Sequence, residues 1–191
     1  MAKKTLRDLL IEELHDLYHA DKQLLRAFPK LAKDAAAAEV RKLCEEGVDY
    51  TNDRIKRLEQ AFAKLDTPAR AKRCQAMEGL IEEAKEMLAE DLGDALRDAA
   101  LLANMQKIAH YGIAGYGTVC SYAKAIGENE VAESLAKSLR EKKAADQEMT
   151  ELAERQINPR ALVSGEDEPA PRELATAGDK PRARRRRKSA R

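Results

Sequence analysis

Three charged side chains fall on helix faces that are otherwise apolar, where ionisable groups could carry out chemistry inside a core. Asp21 lies in the middle of a stripe of leucine and aromatic residues in the first predicted helix. Lys142 and Asp146 occupy successive stripe positions, four residues apart, in the last long helix. Charged residues are rarely buried unless they are paired. The pattern therefore singles out these three residues as candidates for a site in the core.

Two histidines offer a second candidate constellation. His15 and His19 are four residues apart, a spacing at which two imidazoles can chelate a metal. Both project well off the apolar stripe of their helix, so solvated histidines are the favoured interpretation. Nucleophilic and phosphate-binding chemistry is not supported, because the serines lack a nucleophile motif and no glycine-rich loop matches a phosphate cradle.

Apolar residues recur at helical spacing along four long segments, and no segment shows a β-strand pattern. The predicted helices cover residues 5–31, 37–65, about 96–126 and 128–156, and a shorter amphipathic segment covers about 74–88. The stretch Leu101 to Tyr122 is apolar or small on nearly every side, which is typical of a helix surrounded by others. The pattern predicts an all-α fold: a ferritin-like antiparallel four-helix bundle with a short extra helix in the long middle connection.

Composition indicates a soluble helical protein of one folded domain. Hydrophobic residues make up 43% of the 191 residues, which is enough for a core, whereas aromatic residues make up only 4% and tryptophan is absent. The three cysteines are unclustered, which favours reduced, buried thiols over a disulfide framework or a zinc site. The N-terminus lacks an apolar signal core, and polar residues interrupt the central apolar stretch too soon for a membrane span. We therefore expect a cytoplasmic location and no membrane partner.

Charge is distributed unevenly along the chain. Residues 159–191 carry ten Lys/Arg against five Asp/Glu, a net charge of +5, which leaves residues 1–158 at −4. The segment from 159 onward lacks periodicity and is rich in charge, so we predict a folded domain over 1–158 and a disordered tail over 159–191. Seven cations lie in the last ten residues: Arg182, Arg184, Arg185, Arg186, Arg187, Lys188 and Arg191. Such a run could bind nucleic-acid phosphates without sequence specificity, or serve as a solubilising tail that contacts the acidic body.

Four blocks follow one another along the chain: DLYHADKQLL at 16–25, CQAMEGLIEE at 74–83, HYGIAGYGT at 110–118 and KAAD at 143–146. Together these blocks resemble the YciE/YciF family of bacterial ferritin-like proteins. The resemblance spans roughly residues 6–157. It implies a four-helix ferritin-like fold, a homodimer, a di-iron carboxylate site between the helices, and ferroxidase-type or stress-related roles in the cytoplasm.

The implied iron ligands are largely replaced in this chain. The family pattern implies an acidic residue at 21, His and Glu near 47 and 50, Glu near 109 and 112, and Glu at 142. These positions here hold Asp21, Gly47, Tyr50, Ala109, Gly112 and Lys142. Because a di-iron bundle needs about four carboxylates and two imidazoles, the inward-facing set falls well below six. Asp21, His110 and Asp146 remain as residual metal candidates.

Lys142 is the most informative of these replacements, because an ammonium on the core stripe would repel a metal dication. We predict that it forms a buried ion cluster with Asp146 and Asp21 in place of a metal. The alternatives are a residual metal site of Asp21, His110 and Asp146, or a Lys142 side chain that extends to solvent.

These expectations leave three functions open. The favoured one is a stress-associated ferritin-like protein without a bound cofactor, structural or binding in role. The alternatives are a functional di-iron ferroxidase or peroxide-handling protein, and a nucleic-acid-associated stress protein that acts through the basic tail. Whether the protein is an enzyme is therefore left open by the sequence.

Overall fold

The computed structural model describes residues 3–166, and all regular secondary structure in that range is helical. The helices are α1 (Leu6–Asp34), α2 (Ala38–Lys64), α3 (Gln75–Leu88), α4 (Asp94–Ala125), α5 (Asn129–Leu152) and α6 (Asn158–Glu166), with a π-helical turn over Ala153–Ile157 between α5 and α6. The predicted fold class is confirmed: α1, α2, α4 and α5 form the bundle, and α3 is the extra helix in the middle connection.

Local sequence signals set the ends of the long helices. At the start of α1, the Thr5 hydroxyl accepts a hydrogen bond from the Asp8 amide, and the Asp8 carboxylate accepts one from the Thr5 amide. This capping box satisfies backbone donors that the first turn leaves unpaired, and such a cap contributes about 1 kcal/mol. At the end of α4, Gly127 adopts a φ of 84°, a left-handed conformation that glycine reaches without steric strain.

Two apolar clusters fill the interior of the bundle, one at each end. The first cluster includes Leu24, Phe28, Val40, Cys44, Met105, Ile108, Ala109 and Met149. The second cluster includes Leu14, Leu17, Leu58, Phe62, Tyr116, Val119, Val131 and Leu135. The first half of α1 lies in the second cluster and its second half in the first, and α5 follows the same order. Since α2 and α4 follow the opposite order, neighbouring helices of the bundle are antiparallel.

The central stretch of α4 is less enclosed than the sequence predicts. One face packs into both clusters, through residues such as Leu101, Ile108 and Tyr116. Ala103, Lys107, His110 and Ala114 lie on the opposite face and are exposed. Ala103 and Ala114 contribute to the error, because residue size alone does not distinguish a buried alanine from an exposed one.

The folded part extends past the predicted boundary at residue 158. Pro159 lies in the first turn of α6, and Ala161 is buried. Proline has no N–H to continue the preceding hydrogen-bond ladder, and the turn before it is wound as a π-helix. Helical structure therefore continues about two turns past residue 158, where the sequence pattern places the end of the folded domain.

The remaining tail predictions, including all seven C-terminal cations, lie outside the described residues. Within residues 3–166, no helix combines the length and the apolar character that crossing a bilayer requires.

Candidate functional site

A layer of polar side chains separates the two apolar clusters at the middle of the bundle. Each long helix contributes to it at the point where its buried residues change from one cluster to the other: Asp21 from α1, Arg54 from α2, Tyr116 with Gly112 from α4, and Lys142 from α5. All four side chains are buried. We give the name polar layer to Asp21, Arg54, Tyr116 and Lys142 together with Thr51 of α2, which is also buried.

Asp21 is the only carboxylate in the polar layer. One of its oxygens accepts a hydrogen bond of 2.5 Å from the Tyr116 hydroxyl, and the other lies 3.4 Å from Nε of Arg54. Burial and the neighbouring Asp21 charge raise the pKa of Tyr116 well above its usual value. The phenol is therefore held protonated, as a hydrogen-bond donor to Asp21.

Arg54 is buried in the polar layer, although the apolar pattern of α2 does not indicate it as a site residue. Its guanidinium donates a hydrogen bond of 2.6 Å to the Thr51 hydroxyl, which in turn donates one of 2.6 Å to the Gly47 carbonyl oxygen. Thr51 lies on the apolar stripe of α2, whereas Arg54 lies at its edge. The three-residue spacing places the two side chains one turn apart on one side of the helix, and this spacing is the signal that could have indicated their contact.

The Lys142 side chain is buried against Gly112. Only 6% of the residue is exposed, and a Cβ atom on residue 112 would lie 2.7 Å from Lys142 Cε and 3.0 Å from Nζ. Burial is the largest cause that lowers the pKa of Lys142, from 10.5 to about 7; the positive charge of Arg54 adds to the shift and the charge of Asp21 opposes it. A substantial fraction of this amine is therefore neutral near pH 7.

The predicted ion cluster of Lys142, Asp146 and Asp21 is wrong in its pairing. Within residues 3–166, no carboxylate oxygen lies within 4.0 Å of the Lys142 ammonium nitrogen, and Asp21 pairs with Arg54 instead. Asp146 lies one turn further along α5 and is paired with His110. Arg54 replaces Lys142 as the partner of Asp21 because its long side chain enters the layer from α2.

The residual metal site of Asp21, His110 and Asp146 is not assembled either. His110 Nε2 lies 3.0 Å from Asp146, but the His110 side chain is 66% exposed, whereas Asp21 is bound inside the layer. In the described part of the chain, no three His, Cys, Asp or Glu side chains converge as a metal-binding group. The residues present at the middle of the bundle therefore do not fit a di-iron centre.

A pocket opens onto the polar layer from the first apolar cluster. It offers about 60 Å³ to water-sized molecules, and Lys142 and Arg54 line it. The rest of its wall is mostly apolar, with carboxylates and a half-exposed tyrosine also present: Phe28, Leu43, Glu46, Gly47, Tyr50, Met105, Ile108, Ala109, Glu141, Ala145, Glu148 and Met149. The pocket is thus an apolar space with a buried amine in its wall.

A second buried arginine links α2 to α5 beside this layer. The Arg57 guanidinium forms two hydrogen bonds of 2.7 Å to the two carboxylate oxygens of Glu141 and one of 2.7 Å to the Ser138 hydroxyl. A two-pronged contact of this kind fixes both partners in one orientation. Arg57 therefore holds the two helices in register next to the pocket.

His15 and His19 are both partly buried, and both contact the connection between α2 and α3. The His15 ring stacks on Phe62, with 4.9 Å between ring centres, and its Nε2 lies 3.3 Å from the Pro68 carbonyl oxygen. His19 Nδ1 accepts a hydrogen bond of 2.9 Å from the Cys74 amide. Both imidazoles therefore anchor the connection between α2 and α3, a role that spacing along α1 does not reveal.

All three cysteines are free and buried, as predicted. Burial raises the pKa of the Cys44 thiol to about 12 and also raises the pKa values of Cys74 and Cys120. Because the thiolate is the nucleophilic form, burial disfavours reaction of these thiols at neutral pH.

Comparison with known proteins places the chain among helical bundles of this type. Residues 5–162 match the family described as a domain of unknown function, DUF892. The chain is 38% identical over 162 residues to Protein YciF of Escherichia coli strain K12, an alignment covering 84% of this chain and 98% of that protein.

Solved structures agree with this relationship. The crystal structure of the E. coli stress protein YciF matches with a TM-score of 0.78 and 38% identity, covering 82% of this chain and 99% of that one. A Rhodopseudomonas palustris protein, YcfI, for which a structural role has been suggested, matches with a TM-score of 0.75 and 35% identity over 77% of this chain and 94% of that one. A Xanthomonas campestris protein shares the fold at 17% identity, with a TM-score of 0.69, covering 85% of this chain and 99% of that one.

Proposed function

The chain belongs to the DUF892 family of YciF-like stress proteins, and from this premise we propose that it is a metal-poor structural or binding protein rather than a ferroxidase. The observation that carries the proposal is the position of Lys142. Its side chain fills the space facing Gly112, and the resemblance to ferritin-like proteins implies a glutamate ligand at each of these two positions.

The charges of the polar layer support the same conclusion. Ferritin-like di-iron centres use carboxylates from all four helices and two histidines, which offset the charge of two metal ions. Here the layer contains two basic side chains, Arg54 and Lys142, and one carboxylate, Asp21. A dication at this point would meet the positive charge of Arg54 and of the protonated fraction of Lys142, and it would have to displace Arg54 to reach Asp21.

Iron oxidation measured on the purified full-length chain tests the proposal. We expect Fe(II) added under air to oxidise at the rate of the buffer control, because the bundle supplies too few ligands to bind it. Rapid, saturable oxidation that requires the folded protein would overturn the proposal in favour of the ferroxidase alternative.

We further propose a cytoplasmic homodimer, as the resemblance implies. The exposed face of α4 includes Ala103 and Ala114, whose small side chains would let a second helix approach closely. Sedimentation at twice the chain mass is expected, and a monomer at micromolar concentration would contradict this proposal.

A second candidate function rests on the seven cations between residues 182 and 191. We propose that they bind nucleic-acid phosphates through counterion release, without base specificity. The test is retention on DNA with and without residues 182–191. The proposal predicts loss of retention on deletion and a steep salt dependence, whereas unchanged retention would contradict it.

A further inference from the structure

Lys142 combines three features that are uncommon for a lysine. It is the only buried lysine in the described part of the chain, and no carboxylate there lies within 4.0 Å of its ammonium nitrogen. It also lines a pocket. By contrast, described lysines such as Lys56, Lys85 and Lys107 are exposed and paired with carboxylates.

The surroundings of Lys142 are those that activate a lysine amine. An apolar pocket and a neighbouring cation both favour the neutral amine, which is the nucleophilic form. The pocket supplies apolar walls from Met105, Ile108 and Met149, and Arg54 supplies the cation. This geometry requires no bound metal.

The size of the pocket limits what could react there. About 60 Å³ of space for water-sized molecules holds roughly four to six waters, since each water needs about 10–15 Å³ on this measure. An organic molecule with a similar number of non-hydrogen atoms, about five, would fill the same space. Apolar walls favour a short alkyl chain, and the amine favours an electrophilic carbonyl carbon.

We propose that Lys142 is a covalent binding site for short-chain aldehydes, which it holds reversibly as a Schiff base inside the bundle. The proposal names a ligand class for the binding role proposed above. It can fail independently of that role, because aldehyde capture and iron binding are measured separately.

The reaction balances without an added oxidant or reductant. The lone pair of the neutral Lys142 Nζ forms a bond to the carbonyl carbon, and the carbonyl π electrons move to oxygen. A proton transferred from nitrogen to that oxygen gives a carbinolamine. The nitrogen then forms the C=N bond as hydroxide leaves, and the second nitrogen proton completes a water molecule. One amine and one aldehyde thus give one imine and one water.

Charged and titratable groups from every helix of the bundle surround this amine. Asp21 of α1 favours the ammonium and Arg54 of α2 disfavours it. Tyr116 of α4 stays protonated through its bond to Asp21. Glu46 of α2, with Glu141 and Glu148 of α5, lines the same pocket. Burial lowers the pKa of Lys142 by more than the Asp21 charge raises it. The rate at which Lys142 captures an aldehyde should therefore rise with pH through about pH 7.

Trapping of the imine tests the proposal on the full chain. The protein is incubated at pH 7 with propanal and cyanoborohydride, and the propylated lysines are located by mass spectrometry after digestion. At pH 7 a lysine of pKa about 7 has roughly a thousandfold more neutral amine than one of pKa 10.4. A less basic amine is a weaker nucleophile, and the pocket restricts access to Lys142, so both effects reduce the advantage of its larger neutral fraction. We therefore expect Lys142 to react at least about tenfold faster than exposed Lys143.

Matched controls make the outcome specific to the pocket. Pyridoxal, which is too large for the pocket, should label Lys143 but not Lys142. Gly112→Ala should slow propylation of Lys142 by displacing its side chain, whereas Gly117→Ala should not, because nothing lies within 4 Å of a Cβ there. Propylation of Lys142 no faster than that of Lys143, or equal labelling by pyridoxal, would overturn the proposal.

Discussion

The side chain of Lys142 occupies the space that a side chain on Gly112 would fill, with Lys142 Cε only 2.7 Å from the position of a Cβ on residue 112. The two residues face each other from α4 and α5, which pack closely along their length. Both stand where the resemblance to ferritin-like proteins implies glutamate ligands. Glycine at 112 and lysine at 142 are therefore complementary in size at a single place in the core.

The contact predicts that Gly112→Ala is destabilising even though alanine is the better helix former. Alanine should gain up to about 1 kcal/mol of helix propensity, but overpacking against Lys142 costs about 1–3 kcal/mol. Because the colliding atoms are the far end of a flexible side chain that borders a pocket, part of this cost is relieved, and we expect a net loss of only about 1 kcal/mol in the free energy of unfolding, measured by urea denaturation. Gly117→Ala, in the same helix with open space around its Cβ, should be neutral or stabilising.

A double-mutant cycle checks the cause of that loss. In a Lys142→Ala background the space opposite residue 112 is empty, so Gly112→Ala should no longer destabilise the protein. An equal loss in both backgrounds would show that the cost comes from elsewhere in α4.

The lowered pKa of Lys142 predicts a specific pH dependence of stability. The folded-state pKa is about 7 and the ordinary value is 10.5, so the unfolded chain binds a proton more readily between these values. The destabilising effect of Lys142 is therefore absent above about pH 10.5, grows as pH falls, and is complete below about pH 7. By linkage, the full pKa shift of Lys142 lowers the free energy of unfolding by on the order of 5 kcal/mol.

Lys142→Met preserves volume and removes this titration. We expect the variant to be more stable than the parent chain below pH 7, with a difference that shrinks towards pH 10, as measured by urea unfolding across that range. Lys143→Met, at the adjacent exposed position, serves as the control and should show no such trend. A constant difference for Lys142→Met would mean that the amine is charged at all these pH values.

The Asp21 contacts predict a large cost for removing the carboxylate. Asp21→Asn would leave the buried Arg54 guanidinium without its counter-charge, and breaking such a pair costs about 3–5 kcal/mol. Asp53→Asn removes an exposed carboxylate paired with Lys56 and should change stability by less than about 1 kcal/mol. Thermal unfolding of the two variants measures the contrast, and equal effects would contradict the assignment of Asp21 to a buried pair.

The helices of the bundle could be predicted from sequence because their apolar stripes are long and regular. The predicted first two helices, 5–31 and 37–65, lie within three residues of α1 and α2 at each end. The pattern did not indicate α6, because a proline that ends one α-helix can equally lie in the first turn of the next. The exposed outer face of α4 was missed because alanine fits either environment.

The candidate site was only partly predictable. Asp21 and Lys142 could be identified because a charge on an apolar stripe stands out, and both are buried. Their partners could not be identified, because spacing along a helix gives the direction of Cβ and not the end point of a long side chain. Arg54 reaches the polar layer from the edge of its stripe, whereas Asp146, on the stripe itself, pairs with the exposed His110.

Metal content after iron loading tests the central claim most directly. The full chain would be loaded with Fe(II) under anaerobic conditions, desalted, and measured by elemental mass spectrometry. We predict close to zero irons per chain, because Lys142 and Arg54 occupy the middle of the bundle and Asp21 is already bound. Close to two irons per chain would contradict this account and would establish a di-iron centre despite the missing ligands.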